Sequence, residues 1–172
     1  VYVMPPMPND EHQQMVARLT AIMQDVVGWS GLGEVRPGVN ISDRPKNWKK
    51  NFRVPDVAVF LKDCKAVNQD THWLGGPDWL GEILSPDDES RQKLDFYAKV
   101  GVREILLIDR DPWEIELYQL QNEQMMLVGA SSLDRPEQLK STVLPLTFRI
   151  VVGVARPVVE VKHATDERQW HV

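Results

Sequence analysis

Asp56-Val57-Ala58-Val59-Phe60-Leu61 and Trp79-Leu80-Gly81-Glu82-Ile83-Leu84 are two apolar runs that each contain one carboxylate. In an extended chain alternate residues face opposite sides, so both sides of the first run are apolar. This pattern is typical of a strand in a sheet that is covered on both faces. Burial of an unpaired carboxylate costs free energy, so Asp56 and Glu82 each require a cation, a hydrogen-bond donor or a proton. Their place inside predicted strands is the main indication of a functional site.

A strand-helix-strand unit is predicted from the residues that follow Glu82. The segment Ser85-Pro86-Asp87-Asp88-Glu89 is typical of a helix start, because proline is tolerated in the first turn and the helix dipole favours acids there. The helix should run to about Val100, with Gly101 as its C′ residue, and residues 102–109 should form the second strand. The two strands should be parallel and joined by a right-handed crossover.

One lysine of this helix should reach the two acids. Glu82 lies roughly 7 to 10 Å before the end of its strand, at about 3.3 Å per residue. Lys93 lies roughly 8 to 12 Å along a helix that runs back over the sheet, at about 1.5 Å per residue. The two side chains are therefore expected at similar heights. Asp56 joins them if the strands that carry the acids are neighbours, which the short connection between these strands favours.

Two carboxylates and a lysine suit metal-assisted hydrolysis of a phosphodiester bond. Asp56, Glu82 and the backbone carbonyl of Ile83 offer oxygen ligands, which Mg²⁺ and Mn²⁺ prefer. Such an ion polarises a phosphoryl oxygen and activates water. Lys93 would orient the water or neutralise charge that develops on phosphorus. The sequence therefore favours a hydrolase that depends on Mg²⁺ or Mn²⁺.

The same residues resemble the motifs of a known family. Val54-Pro55-Asp56, Glu82-Ile83-Leu84-Ser85-Pro86 and the segment 91–102 are similar to the Uma-two family of putative restriction endonucleases, within the PD-(D/E)XK nuclease superfamily. The resemblance extends from Glu11 to about Leu120. It implies an α/β, restriction-endonuclease-like fold in which a central mixed β-sheet is flanked by helices.

The resemblance also implies a set of site residues. Asp56, Glu82 and Lys93 correspond to the catalytic set. Leu84 stands where the lysine of the superfamily follows the acid, and in this family the lysine is displaced to the helix, at Lys93. An acid on the first helix often joins the metal site of the superfamily, which makes Glu11 a further candidate metal ligand. The helix dipole is the alternative reason for an acid at this position.

Each member of the proposed set also has a structural alternative. Asp56 follows a proline and could cap its own turn. Glu82 could pair with an arginine, and Lys93 could be solvated on the flank of its helix. A shared site explains all three positions together, and we therefore favour it over three separate structural roles.

Residues 9–29 are predicted to form an amphipathic helix that packs on the sheet. Its apolar residues recur at helical spacing: Met15, Val16, Leu19, Ile22, Met23, Val26 and Val27. His12, beside Glu11, could reach the same cleft. A lone histidine is more often a surface or core residue, so the sequence alone assigns His12 no role.

A basic segment precedes the first acid. Residues 44–53 contain five basic residues, no acids and two aromatic residues. This combination suits a phosphate backbone and an unstacked base. A solvated loop with aromatic anchors is an equally favoured interpretation. The candidate nucleic-acid-binding residues are Lys46, Lys49, Lys50 and Arg53.

The remainder of the chain is predicted to be mainly extended. Residues 113–120 and 125–129 should form a hairpin, and residues 143–152 another strand. Residues 157–161 are expected to form a last edge strand. Residues 162–172 are polar and are expected to form a frayed tail.

Composition limits the class of protein. The 172 residues, 42% of them hydrophobic, suffice for a single domain, with its core expected at about residues 9–120. The single cysteine, Cys64, excludes an internal disulfide, and no apolar run has transmembrane length. The first eight residues are too short and proline-rich for a signal peptide. We therefore expect a cytoplasmic protein that does not bind membranes.

Two classes of function remain open. The first is a Mg²⁺-dependent or Mn²⁺-dependent nuclease, with DNA as the expected substrate. Restriction-type enzymes that cut both strands usually act as dimers, so a homodimer is expected. The second is a catalytically silent module that keeps the fold and binds nucleic acid or protein, which the net charge of −5 and Leu84 favour. A local basic patch would still allow an acidic protein to bind nucleic acid.

Overall fold

The computed structural model describes residues 9–85 and 90–172. Within these ranges there are two α-helices, α1 (Asp10–Met23) and α2 (Leu94–Lys99). A π-helical turn (Gln24–Gly28) extends α1, and 3₁₀ turns occur at Trp48–Lys50 and at Ser90–Lys93.

Fourteen strands are described in the same ranges. In chain order they are β1 (Gly33–Pro37), β2 (Ile41–Ser42), β3 (Phe52–Arg53), β4 (Val57–Leu61), β5 (Val67–Asn68), β6 (Trp73–Leu74), β7 (Trp79–Ile83), β8 (Glu104–Arg110), β9 (Trp113–Gln121), β10 (Gln124–Ser132), β11 (Leu139–Lys140), β12 (Leu146–Val151), β13 (Val158–His163) and β14 (Gln169–His171).

Six of these strands form the central sheet, in the order β1-β4-β7-β8-β9-β10. β7 and β8 are parallel, and the other neighbouring pairs are antiparallel. The predicted α/β class and central mixed sheet are therefore confirmed. The parallel strand-helix-strand unit is confirmed as β7, α2 and β8, and Gly101, with φ of +84°, follows the end of α2. This left-handed backbone conformation favours glycine.

Both faces of the central sheet are covered, as the apolar pattern of β4 predicts. On one face, Val57 and Val59 join a core cluster with α1 and with β12 and β13. On the other face, Leu80 packs with α2, and Ala58 and Phe60 pack with Trp73 of a small sheet. This small sheet has the order β3-β2-β6-β5. β5 and β6 of this sheet lie in the connection between β4 and β7.

The helix at the start of the chain agrees with its prediction over residues 9–28. The Asn9 side chain caps α1 by accepting a hydrogen bond from the backbone N–H of His12 at 2.9 Å. The apolar stripe is buried, and Met15, Leu19 and Met23 are fully inaccessible. None of the helices within the described ranges is long and apolar enough to cross a membrane.

The described part of the helix between the parallel strands differs from its prediction, because residues 90–93 form a 3₁₀ turn. The described part begins with the 3₁₀ turn at Ser90, and α2 ends at Lys99. The predicted helix start at residues 86–89 lies outside the described residues. Lys93 is therefore placed at the junction of the 3₁₀ turn and α2.

The predictions for the end of the chain were wrong in two respects. β13 is an inner strand of a four-stranded sheet with the order β11-β12-β13-β14, and not an edge strand. The expected frayed tail forms β14, and the side chain of Val172 is fully buried. Val172 and Val159 exchange two backbone hydrogen bonds, of 2.9 and 3.1 Å. The core also extends well beyond residue 120, because Phe148 and Ile150 belong to its largest cluster.

Candidate active site

Asp56 lies at the start of β4, beside the strand that carries Glu82. β4 pairs with β7 so that Val57 is opposite Gly81, which brings Asp56 next to Glu82 and Ile83. The backbone N–H of Ile83 donates a hydrogen bond to Asp56 Oδ2 at 2.7 Å. The Asp56 carboxylate is therefore held across the strand pair and does not merely cap its own turn.

Glu82 lies within β7 on the face that α2 covers, and its side chain is only 4% exposed. The hydroxyl of Tyr97 donates a hydrogen bond to Glu82 Oε1 at 2.6 Å. The ammonium of Lys93 lies 3.6 Å from the same oxygen. A neutral hydrogen-bond donor and a cation thus compensate for the unfavourable free energy of burying this carboxylate, as expected from the sequence.

Lys93 is partly exposed and faces inward from the start of α2, with 27% of its side chain accessible. The predicted convergence of the two acids and this lysine is therefore present in the structure. Its geometric basis is the pairing of β4 with β7 and the return of α2 over β7. The catalytic roles of the three residues are taken up below.

Tyr97 is a site residue that sequence reasoning missed. Burial and the neighbouring Glu82 carboxylate raise the pKa of Tyr97 far above its ordinary value, so the hydroxyl keeps its proton and remains a donor. A signal was available in the sequence. Lys93 and Tyr97 are four residues apart, a spacing that places two side chains on the same face of a helix.

His12 also reaches the site from α1. Its Nε2 lies 3.3 Å from Asp56 Oδ2, and its side chain is 7% exposed. The possibility that His12 enters the same cleft as the acids is therefore realised in the structure. Asp56 Oδ2 is contacted from two sides, by α1 through His12 and by β7 through Ile83.

Glu11 lies next to His12 in sequence but is engaged by arginines. Its Oε2 is 2.9 Å from Arg110 Nη1, and its Oε1 is 2.9 Å from Arg156 Nε. Arg110 in turn donates hydrogen bonds to the backbone carbonyl of Leu84. These contacts, and the place of Glu11 in the first turn of α1, give it a structural role, and its proposed part in metal binding stays a prediction.

The basic segment is a loop with exposed lysines and an aromatic anchor, and its proposed part in nucleic-acid binding stays a prediction. The side chains of Lys46, Lys49 and Lys50 are exposed. The Trp48 ring stacks on His72, with ring centroids 5.0 Å apart, and anchors the loop. Phe52 meets the edge of Trp48 at 5.4 Å.

Arg53 connects this segment to the acids. Its guanidinium lies over the Phe96 ring, 4.7 Å from the ring centroid. It also lies close enough to Tyr97 that its charge opposes the increase in the pKa of this tyrosine. A second connection is the ion pair between Asp43 and Lys99 of α2, at 2.7 Å. The basic segment is thus fastened to the helix that faces Glu82.

The donor set suits a hard divalent cation. Mg²⁺ is commonly held by one or two carboxylates, with water and substrate phosphate as the other ligands. Asp56 and Glu82 provide two carboxylates from adjacent strands, and Ile83 belongs to the same strand as Glu82. The described residues contain no group of three or more His, Cys, Asp or Glu side chains arranged to hold a metal ion. Carboxylate oxygens are ligands that Mg²⁺ and Mn²⁺ prefer, so Asp56 and Glu82 are the residues that could hold such an ion.

Comparison with solved structures identifies the fold. The chain is similar to a crystal structure described as a putative nuclease belonging to DUF820 from Anabaena variabilis, with a TM-score of 0.60 and 22% sequence identity. The match covers 81% of this chain and 76% of the other chain. This likeness confirms the predicted restriction-endonuclease-like fold. No curated protein matches the sequence.

Comparison with family models covers most of the sequence. The model that matches carries the description "putative restriction endonuclease", and the match spans residues 1–153. It includes Asp56, Glu82 and Lys93, as well as α1 and the central sheet. This chain therefore belongs to the Uma2 family.

Proposed function

We propose that this protein is a nuclease that hydrolyses phosphodiester bonds of nucleic acid, with DNA as its expected substrate and Mg²⁺ or Mn²⁺ as its cofactor. The observation that carries the proposal is the convergence of Asp56, Glu82 and Lys93. Two acids lie on adjacent strands, and the lysine ammonium lies 3.6 Å from Glu82. Membership of the Uma2 family supports the same reaction.

The two carboxylates have the positions of metal ligands. Asp56 and Glu82, with the backbone carbonyl of Ile83, would hold the ion. When bound, the ion supplies Lewis-acid polarisation of a phosphoryl group. The hydrogen bond from Ile83 N–H fixes the orientation of the Asp56 carboxylate, and Tyr97 does the same for Glu82. Residues held in this way lose little freedom when substrate binds.

Lys93 supplies a positive charge at the edge of the same site. Its partial exposure lets the ammonium meet solvent or substrate as well as Glu82. In this position it orients the attacking water or stabilises the charge that develops on the phosphoryl oxygens. The Tyr97 hydroxyl, which keeps its proton, serves Glu82 as a donor and not as a base.

Nucleic acid binding is assigned to the basic segment. Lys46, Lys49 and Lys50 present exposed ammonium groups, and Arg53 lies between them and α2. A local positive surface of this kind attracts a phosphate backbone even when the net charge of the protein is −5. The substrate would thus run from the lysines toward the two acids.

A homodimer is the second part of the proposal. Restriction-type enzymes that cut both strands of a duplex usually do so with two active sites of opposite polarity, which a two-fold dimer supplies. Sedimentation velocity or light scattering of the purified chain tests this directly. A monomer at all accessible concentrations would remove the dimer from the proposal and would favour cleavage of one strand.

Cleavage assays test the main proposal. Single-stranded and double-stranded DNA and RNA would be incubated with Mg²⁺ or Mn²⁺ and with the wild type, Asp56→Asn or Glu82→Gln. These two variants keep the side-chain shape and remove a negative charge. Asp95→Asn, on the exposed side of α2, is the matched control.

We expect metal-dependent cutting by the wild type and by Asp95→Asn. Either active-site variant should lower the rate by a factor of about 100 or more, because it removes a ligand charge from the metal site. If the folded wild type cuts none of these substrates with either metal, the nuclease proposal fails. The catalytically silent binding module then becomes the better description.

A further inference from the structure

We propose that His12 is a positioning residue that orients the Asp56 carboxylate and thereby sets the affinity of the site for a divalent cation. The inference rests on the proposed function, because it concerns the metal site of that function. It starts from a single contact, the 3.3 Å approach of His12 Nε2 to Asp56 Oδ2.

Both partners of this contact are held in place by other hydrogen bonds. The backbone N–H of His12 is capped by the Asn9 side chain, which fixes the first turn of α1. Asp56 Oδ2 also accepts the Ile83 N–H at 2.7 Å. The His12 ring nitrogen and the Ile83 N–H come from different elements and meet the same oxygen, which leaves the carboxylate little freedom to rotate about its Cβ–Cγ bond. His12 thus adds a second constraint to an acid that β7 already holds.

The other nitrogen of the ring shows that packing alone does not explain a histidine here. His12 Nδ1 is buried, and it has no hydrogen-bond partner within residues 9–85 and 90–172. A buried polar atom without a partner destabilises the fold, and an apolar side chain at the same position would avoid this cost. The polarity of the ring is used at Nε2, where Asp56 lies.

The same orphan atom indicates which ring nitrogen carries the proton. A hydrogen on Nε2 can be donated to Asp56. A hydrogen on Nδ1 would be buried and would have no acceptor within the described residues. The geometry therefore favours the tautomer with its hydrogen on Nε2. An N–H donor in this position constrains the orientation of the Asp56 carboxylate.

Hydrogen-bond partners of metal ligands typically contribute a factor of about 10 to 100 to metal affinity. We therefore expect His12→Leu to raise the dissociation constant for Mn²⁺ by about this factor. The fold should remain intact, because the substitution removes the orphan Nδ1 along with the donor. His12→Gln should restore most of the affinity, since its side-chain N–H can take the place of Nε2–H.

The test is Mn²⁺ binding to the full chain without nucleic acid, measured from the loss of the electron paramagnetic resonance signal of free Mn²⁺. The matched control is His163→Leu, which removes another histidine–aspartate contact, the 3.0 Å pair of His163 with Asp166. Circular dichroism melting of all variants reports whether they are folded. We expect wild type, His163→Leu and His12→Gln to bind similarly and His12→Leu to bind weakly.

Each other outcome has a distinct meaning. Wild-type affinity in His12→Leu would overturn the role of His12 and would leave the nuclease proposal standing. Equal weakening in folded His12→Leu and His12→Gln would also overturn it, because the shape of the ring and not its donor would then matter. A wild type that binds no Mn²⁺ would remove both this inference and the metal site of the proposed function.

Discussion

The Tyr97 hydroxyl and the Glu82 carboxylate form a buried hydrogen bond of 2.6 Å that joins α2 to β7. The ammonium of Lys93, one helical turn before Tyr97, lies 3.6 Å from the same carboxylate oxygen. The packing of α2 on the sheet therefore depends on the Glu82 carboxylate, and the environment of this carboxylate depends on α2. A change at any of these three residues should affect both stability and catalysis. The relative size of the two effects should differ from one residue to the next and so distinguish their roles.

Tyr97→Phe should destabilise the protein without disturbing its packing. The substitution removes one donor from a carboxylate that is only 4% exposed. We expect the free energy of unfolding to fall by about 1.5 to 3 kcal/mol, the typical contribution of a hydrogen bond to a charged group. Urea denaturation of the two proteins measures the difference.

Tyr118→Phe is the matched control, since Tyr118 also donates to a carboxylate, that of Glu116, at 2.7 Å. Glu116 is more exposed than Glu82 and accepts two hydrogen bonds from Arg91, so the control should lose less stability. Equal losses in the two variants would contradict a special role for the Tyr97 bond.

The same tyrosine predicts a decline of stability at alkaline pH. Burial and Glu82 raise the pKa of Tyr97 in the folded protein, while in the unfolded chain it is about 10. The stabilising contribution is therefore fully present below pH 10 and is lost as the pH rises from this value toward the folded pKa. Tyr118, whose pKa is raised to about 12, adds to the decline.

Urea unfolding at several pH values between 8 and 12 measures this decline. In Tyr97→Phe the curve should be flatter above pH 10, because the variant has no phenol to titrate at this site. An alkaline decline of the same steepness in wild type and variant would refute the assignment.

Lys93→Met should lower the rate of cleavage and not the binding of nucleic acid. The substitution keeps the length of the side chain but removes the charge that faces Glu82 and the scissile phosphate. Loss of one preorganised electrostatic donor typically lowers the rate by a factor of about 100 to 1,000. Single-turnover cleavage at saturating metal measures the effect.

Lys99→Met, on the same helix and paired with Asp43, should cleave at nearly the wild-type rate. A Lys93→Met rate within twofold of wild type would exclude Lys93 from the reaction.

The double variant Lys49→Glu, Lys50→Glu should weaken the binding of nucleic acid and leave the fold intact, because both side chains are exposed. Each phosphate contact that is lost should reduce the slope of log K against log salt by about 0.7 to 0.9. Fluorescence anisotropy with a labelled oligonucleotide, in the inactive Glu82→Gln background, measures affinity and slope. Lys140→Glu, on β11, is the control for general charge effects. An unchanged salt slope would show that the substrate does not cross this segment.

The convergence of Asp56, Glu82 and Lys93 was predictable from the sequence because it depends on the pairing of β4 with β7 and on the crossover from β7 to β8. The strands β4 and β7 pair with each other and are separated along the chain by residues 62–78, and Lys93 belongs to the crossover that follows Glu82 directly. Strand and helix rises then suffice to bring the three side chains together. His12 was not assigned because its contact with Asp56 joins segments that are far apart along the chain.

Other features depend on partners that no local pattern reveals. Glu104 opens β8 and reads as a polar strand end, yet it is fully buried. Its carboxylate accepts hydrogen bonds from Gln119, Ser141 and Thr142. In the sequence, charged residues separate Trp170 and Val172 from the other apolar residues, so the end of the chain looks polar. In the structure both residues lie beside β13, where Trp170 pairs with Val161 and Val172 pairs with Val159. Two-residue strands such as β5 and β6 are too short to show any periodicity.

The arrival of Lys93 from α2, while Leu84 lies buried at the end of β7, affects how such proteins can be recognised. A text pattern that asks for an acid and a lysine two positions apart on one strand misses Glu82 and selects Glu160 and Lys162 of β13 instead. A spatial template of two carboxylates and one ammonium, with no demand on their order or spacing in sequence, retrieves the site at Glu82. Relatives that share this arrangement are better sought by superposing charged atoms than by aligning letters.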